Sequence, residues 1–150
     1  MKTDTQLLED QRKIIDTITR MVATADRKDW EGCLATFTHE VLLDHDAGSG
    51  QPERVTSSDM IAGWQKTFDR FDSTWHSVTN HQISINGSHA VCKSYVHAIH
   101  CDFTVKRGTN HYTEYGIYSH ELEKTGEVWK ISGIQYRMIT SEGNSTIFAH

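Results

Sequence analysis

The sequence predicts an α+β domain, with three helices in the first half of the chain and a curved sheet of four long antiparallel strands packed against them. Two observations carry this reading. Apolar residues recur at spacings of three and four up to about residue 71, and beyond residue 73 β-branched and aromatic residues take over. Turn signals at Asn86-Gly87, Gly108-Thr109-Asn110 and Thr125-Gly126-Glu127 then divide the second half into strands.

Leu7, Leu8, Ile14, Ile15, Ile18, Met21, Val22 and Ala25 mark an amphipathic helix over about 5–25. One further i+4 step, from Ile18 through Val22, lands on Asp26. A carboxylate in line with a buried face needs a partner, because an ionised group is costly to bury alone. The other use of Asp26, or of Asp29, is to cap the next helix. Trp30, Cys33, Leu34 and Phe37 give that second, short helix over about 29–38. Val41 to Asp44 reads as a strand, and residues 47–52 (Ala-Gly-Ser-Gly-Gln-Pro) as a loop. Asp44, His45 and Asp46 carry metal-ligating groups, but neighbours on a strand point to opposite faces and do not converge. Ser57 or Ser58 caps a third helix whose apolar side holds Met60, Ile61, Trp64, Phe68 and Phe71. Asp59 suits the positive end of its dipole.

The strands follow as Trp75–Ile85, Ala90–Val105, His111–Glu123 and Val128–Thr140. The first lacks clean alternation: His76, Val78 and Asn80 share one parity, Ile83 and Ile85 the other. A bulge reconciles them, and bulges favour the neighbourhood of sites. Ser141–His150 reads as a polar tail in which Ile147 and Phe148 are the residues able to dock.

At 150 residues the chain is one domain, with its core over about 8–140. A net charge of −5 and the lack of a Lys/Arg cluster argue against a nucleic-acid or anionic-membrane partner. Residues 1–6 contain no apolar leader, and no apolar run approaches the ~20 residues of a membrane span, so the chain reads as cytoplasmic. Cys33, Cys92 and Cys101, odd in number and without a Cys-x-x-Cys pair, read as reduced, buried residues. Among ten histidines no convergent trio is readable; His97 and His100, three apart on a strand, face opposite ways. No metal or cofactor is expected.

The stretch Thr74-Trp75-His76-Ser77-Val78-Thr79-Asn80 brings a histidine into the sheet, and Asp26 is its best candidate partner. If the two meet across a pocket, the chain is a small acid–base enzyme. If they do not, it is a binding module with a satisfied core histidine.

Asp26-Arg27-Lys28-Asp29-Trp30, Thr74-Trp75-His76, the strand with Tyr112, Gly116-Ile117-Tyr118 and Glu121-Leu122, and Gly126-Glu127-Val128-Trp129-Lys130-Ile131 occur here in one order and spacing. Over about residues 8–140 this pattern resembles the SnoaL-like branch of the NTF2-like (cystatin-like) superfamily. The resemblance implies a cone-shaped curved sheet that, with the helices, encloses a largely apolar pocket. The superfamily holds dehydratases, dehydrochlorinases, isomerases, cyclases and plain binding proteins, so fold alone leaves function open. Resemblance to the scytalone dehydratase and hexachlorocyclohexane dehydrochlorinase branch implies His76 as general base, oriented by Asp26. It also puts His100 near a second histidine of the dehydratase. Tyr118, of one parity with Gly116 and His120, is the favoured pocket tyrosine. Recognition residues depart from both relatives: Ile134 stands where the dehydrochlorinase has an arginine, with Arg137 of opposite parity. Gly116 and Tyr118 stand where the dehydratase has serine and asparagine, and the 46–54 loop has no counterpart of the pocket tyrosine.

The expected function is therefore a cofactor-independent lyase or isomerase acting on a small cyclic or polyketide-like molecule. His76, held by Asp26, would remove a proton; Trp64, Phe68 and Trp129 would wall the pocket, with His100 and Tyr118 against the substrate. The alternative is a non-catalytic small-molecule-binding or assembly module of the same fold. By resemblance the chain is a homodimer joined through the open face of its sheet.

Overall fold

Helix α1 runs from Asp4 to Asp26, and local sequence sets both ends. The Thr3 side chain accepts from the Gln6 N–H while the Gln6 side chain accepts from the Thr3 N–H, a reciprocal cap. At the other end Lys28 takes φ 58°. The Asp29 N–H then reaches the Thr24 carbonyl and the Lys28 N–H that of Ala25, a Schellman ending. Asp29 caps helix α2 (Trp30–Leu34) by accepting from the Gly32 N–H at 2.9 Å. The two aspartates have divided the work: Asp29 is the cap, and Asp26 is left for a tertiary partner. Helix α2 ends at Leu34, short of the expected 38, because Phe37 already pairs with Ile131 in strand β1 (Phe37–Asp44). The β-branched and aromatic run Thr36-Phe37-Thr38 prefers the pleated sheet to a third helical turn.

This computed structural model describes residues 1–44 and 51–149. His45, Asp46, most of the 47–52 loop and His150 lie outside the described residues. Strand β2 (Glu53–Thr56) pairs antiparallel with β1, an element too short for periodicity to reveal. Helix α3 (Ser57–Phe68) is capped by Thr56 rather than by Ser57 or Ser58: the Thr56 hydroxyl accepts from the Asp59 N–H at 3.2 Å.

Strands β3 (Ser73–Asn86), β4 (His89–Cys101), β5 (His111–Thr125) and β6 (Val128–Gly143) form the meander. Strand β4 stops at Cys101, short of Val105, because Asp102 turns the chain; its carboxylate accepts from the Thr104 N–H at 2.9 Å and hydroxyl at 2.6 Å. Strand β6 runs past Thr140 to Gly143, and the tail ends in a 3-10 turn, Ser145–Phe148, with Ile147 buried. Strand β1 adds parallel to β6, giving one unclosed sheet in the order β2-β1-β6-β5-β4-β3. Register slips between Thr79 and Gln82, where Asn80 takes φ 57°, and this bulge turns Val78, Ile83 and Ile85 toward the same core. Further slips in β5 at Tyr115/Gly116 and Glu121/Leu122 add to the bend.

Helices α1 and α3 pack into the resulting concavity, which has two unlike ends. At one, Ile14, Ile18, Cys92, Leu122, Trp129 and Ile131 fill the space completely; burying each large apolar side chain contributes roughly 1.5–3 kcal/mol. Within this filled end lies Asp10, which accepts from Lys2 at 2.7 Å, Lys124 at 2.9 Å and the Trp129 indole at 2.8 Å. Burial alone would raise its pKa, but the bonds from Lys2, Trp129 and Lys124 outweigh that and hold the carboxyl well below the usual range. At the other end, beyond Met21, the concavity stays open. No described helix is long and apolar enough to cross a membrane.

Candidate active site

The open end is a cavity of about 160 Å³ between α1, α3 and the sheet. Met21, Val22 and Ala25 line it from α1, Trp64 and Phe68 from α3, and Val96, Ala98 and Ile134 from the sheet. Its polar lining is Asp44, His76, His100, Glu114, Tyr118 and Tyr136.

Asp26 and His76, fifty residues apart, meet at its edge. The His76 Nδ1 lies 2.7 Å from one Asp26 oxygen, which also accepts from the Thr74 hydroxyl at 2.9 Å. The second oxygen accepts from the His76 backbone N–H at 2.8 Å. Three donors thus hold one carboxylate, and the carboxylate holds the ring. A carboxylate only accepts, so in the neutral ring the Nδ1 carries the proton and the Nε2 presents a lone pair. Phe68 stacks on the imidazole with ring centroids 5.8 Å apart and planes 3° from parallel. Backbone bond, side-chain bond and stacking together leave His76 little rotational freedom. The Asp26 side chain is 17% exposed and that of His76 8%, so the pair sits at the boundary of the cavity rather than in bulk water.

His100 lies beside them, its ring edge-on to His76 at 5.8 Å. Phe71 and Phe148 pack against it at 5.2 and 5.1 Å, and Arg70 holds the tail by donating to the Phe148 carbonyl at 2.6 Å. Burial first, then the neighbouring His76, push His100 down to about 4, against the weaker pull of the Tyr112 backbone and Asp26. Its imidazole is therefore neutral at neutral pH. The buried Nδ1 has no hydrogen-bond partner among the described residues, although an unpaired polar atom is costly to bury.

Tyr118 lines the cavity, with its ring tilted against His120 at 4.9 Å and Tyr136 at 5.4 Å. Burial, and then the Glu114 charge, push its phenol above the ordinary value, so the hydroxyl stays protonated and able to donate. Trp64 and Phe68 line the cavity. Trp129 does not. Its indole is bound to Asp10 under the filled half of α1, because a buried N–H needs an acceptor and Asp10 supplies one.

Thr74, Glu114 and Tyr136 are site residues that sequence reasoning missed. Thr74 had a signal, since it shares strand parity with His76 and faces the same way. Tyr136 had a subtler one in Gly116. A Cβ at Gly116 would come within 2.6 Å of the Tyr136 ring and of the Arg137 carbonyl, so the glycine is what lets that ring cross the strand into the cavity. Glu114 had none, because nothing local separates a cavity carboxylate from a solvated one. Among the described residues no group of three or more His, Cys, Asp or Glu side chains is placed to hold a metal.

The family model described as the SnoaL-like domain matches residues 6–135. Among solved structures, the chain is similar to the Kfla4162 protein from Kribbella flavida: 24% identity over 94% of this chain and 97% of that one, with a TM-score of 0.86. It is similar also to a candidate scytalone dehydratase from Novosphingobium aromaticivorans, 23% identical over 95% of this chain and 92% of the other, TM-score 0.77. A hexachlorocyclohexane dehydrochlorinase, LinA-type3 from Novosphingobium barchaimii, is 14% identical over 95% of both chains, TM-score 0.77. No curated protein matches the sequence. At these identities the likeness shows the cystatin-like, NTF2-like fold.

Proposed function

Since the chain belongs to the SnoaL-like domain family, we propose that it is a cofactor-independent lyase or isomerase in which His76 is the general base and Asp26 orients it. One observation carries the reading: the 2.7 Å Asp26–His76 contact at the edge of an open, mostly apolar cavity. The Nε2 lone pair takes a proton from a carbon next to a carbonyl or leaving group. The C–H electron pair moves into a new double bond, and the leaving group departs or an enolate oxygen takes the charge. Asp26 stabilises the imidazolium that forms, and the apolar walls strengthen that interaction by excluding water. His100 and Tyr118 are the nearby donors for the oxygen on which charge develops. A non-catalytic binding module would have its aspartate and histidine apart or its pocket filled by aromatic rings; the contact and the cavity argue against that alternative.

The test follows deuterium uptake from heavy water at the α-carbons of small cyclic ketones. Uptake is expected with the native chain and lost in His76→Ala; uptake that survives the substitution would sink the proposal.

The chain acts as a homodimer in this reading. The outer face of the sheet exposes Trp75 (64%), Tyr95 (58%) and Ile139 (56%), a set of large apolar side chains that a second copy would cover. Light scattering should return twice the mass of one chain, and a monomer insensitive to Tyr95→Glu would contradict it. Cys33, Cys92 and Cys101 are unpaired, and burial pushes the Cys33 thiol up to about 11, in keeping with a cytoplasmic setting.

A further inference from the structure

The proton-abstraction reading uses only one side of the cavity. The other side carries a second carboxylate whose position the strand register defines. His76 on β3 pairs with Ala98 on β4, and Ala98 pairs with Glu114 on β5. Paired residues of adjacent strands share a face, and strands lie roughly 4.8 Å apart, so the backbones of His76 and Glu114 stand about 10 Å apart. Only the Ala98 methyl lies between them. The small side chain leaves a slot, with the base on one flank and the carboxylate on the other.

Glu114 is held, not loose. The Tyr136 hydroxyl donates to its Oε2 at 3.1 Å, while its Oε1 has no hydrogen bond among the described residues. A carboxylate oxygen facing a mostly apolar cavity seeks a donor. Among the described lining residues none is Lys or Arg, so beside the Glu114 carboxylate no described lysine or arginine stands ready to receive an anionic group. Like charges brought together in such a site repel. Size adds a limit, since a cavity of about 160 Å³ is close to the ~150 Å³ that accommodates one benzene ring.

We infer that Glu114, positioned by Tyr136, is the specificity-determining group of this cavity, selecting a neutral single-ring substrate with a hydroxyl across the ring from the carbonyl whose neighbouring carbon His76 deprotonates. This builds on the proposed reaction but concerns recognition, and the two can fail separately. An amine at the same ring position would satisfy the same acceptor, and the test distinguishes it.

The probes are 4-hydroxycyclohexanone, 4-aminocyclohexanone, cyclohexanone and 4-oxocyclohexanecarboxylate. Each is titrated onto the full chain by ligand-observed NMR, with deuterium uptake followed in the same samples. The hydroxyl ketone should bind best and the carboxylate worst, the two differing by at least about tenfold, the range of a hydrogen bond to a charged group. Glu114→Gln should bring that pair to within about threefold. Ala98→Leu, which fills the slot without touching a polar group, should weaken the hydroxyl ketone by about tenfold. Carboxylate binding as tight as hydroxyl, tightest binding by the amine, no binding by any probe, an unchanged order in Glu114→Gln, or unchanged affinity in Ala98→Leu would each overturn the assignment. His76→Ala should keep the order and lose the uptake. An order without any uptake leaves the recognition role standing and ends the proton-abstraction reading; uptake without an order does the reverse.

Discussion

Helix α1 carries two carboxylates on its inner side, Asp10 near one end and Asp26 at the other, and they have opposite fates. Asp10 is surrounded by fixed donors, two ammonium groups and an indole, in space filled by Ile14 and Trp129. It is a staple between helix and sheet, and nothing about it can change near neutral pH. Asp26 has a titratable partner and an empty space beyond that partner. A buried carboxylate with permanent cations gives stability, while one with a histidine facing a cavity is placed for the proposed chemistry. Residue type and helix face are the same; neighbours and free volume make the difference.

That contrast can be broken at its open end first. His76→Ala should cost about 10²–10⁴ in rate, the usual worth of a positioned base, with an unchanged circular dichroism spectrum and melting temperature. A melting temperature that falls as far as the rate would mean the dyad is a second staple. At the filled end, Asp10→Ala should lose about 2–3 kcal/mol, since it removes charge-assisted bonds from a buried site. Urea titration reads this as a lower midpoint, while turnover of the folded fraction stays native. Turnover falling along with the midpoint would join the two ends into one unit.

A smaller effect tests how the cavity is shaped. Gly116→Ala pushes the Tyr136 ring and should cost about 1–2 kcal/mol of overpacking. It should also shift the Tyr136 resonances in an NMR spectrum, while those of Trp129 stay in place. The two ends can also be told apart by pH, because they titrate in different windows. His100 is held down to about 4 and His120 to about 3, both chiefly by burial, so below the unfolded value near 6.5 the unfolded chain binds more protons. Stability should therefore fall as pH drops from about 6.5 toward 4. The depressed Asp10 contributes fully above about pH 4 and loses its contribution only as acid is added below that. Melting curves from pH 7 to 3 should show both limbs, the upper one weakened in His100→Phe and the lower one in Asp10→Ala. A single acid limb unaffected by His100→Phe would refute the assignment.

Much of this was legible beforehand for a definite reason. The apolar stripe of α1, the parity break at Asn80 and the turns at Gly87, Gly108 and Gly126 are local signals, written in residues a few positions apart. The Asp26–His76 pairing was reachable because the stripe ends on one and the strand begins with the other. Local competition decided the near misses: Phe37 preferred the sheet to α2, Thr56 displaced its serine neighbours as cap, and Asp102 ended β4 early. Trp129 looked like something else in isolation. A tryptophan on an inward strand face can wall a pocket or fill a core, and periodicity is the same for both.

By itself, then, the sequence determined the order of the helices and the longer strands, the faces they bury and the two residues able to form a dyad. Backbone propensity and hydrophobic period are properties of neighbours along the chain. Only the tertiary structure decided which buried carboxylate would be neutralised and which would meet a histidine beside an open cavity. It also brought Thr74 under Asp26, let Tyr136 cross Gly116, and set Glu114 opposite His76 across Ala98. Those outcomes depend on strand register and on where packing leaves volume unfilled, and both are settled between segments far apart in the chain.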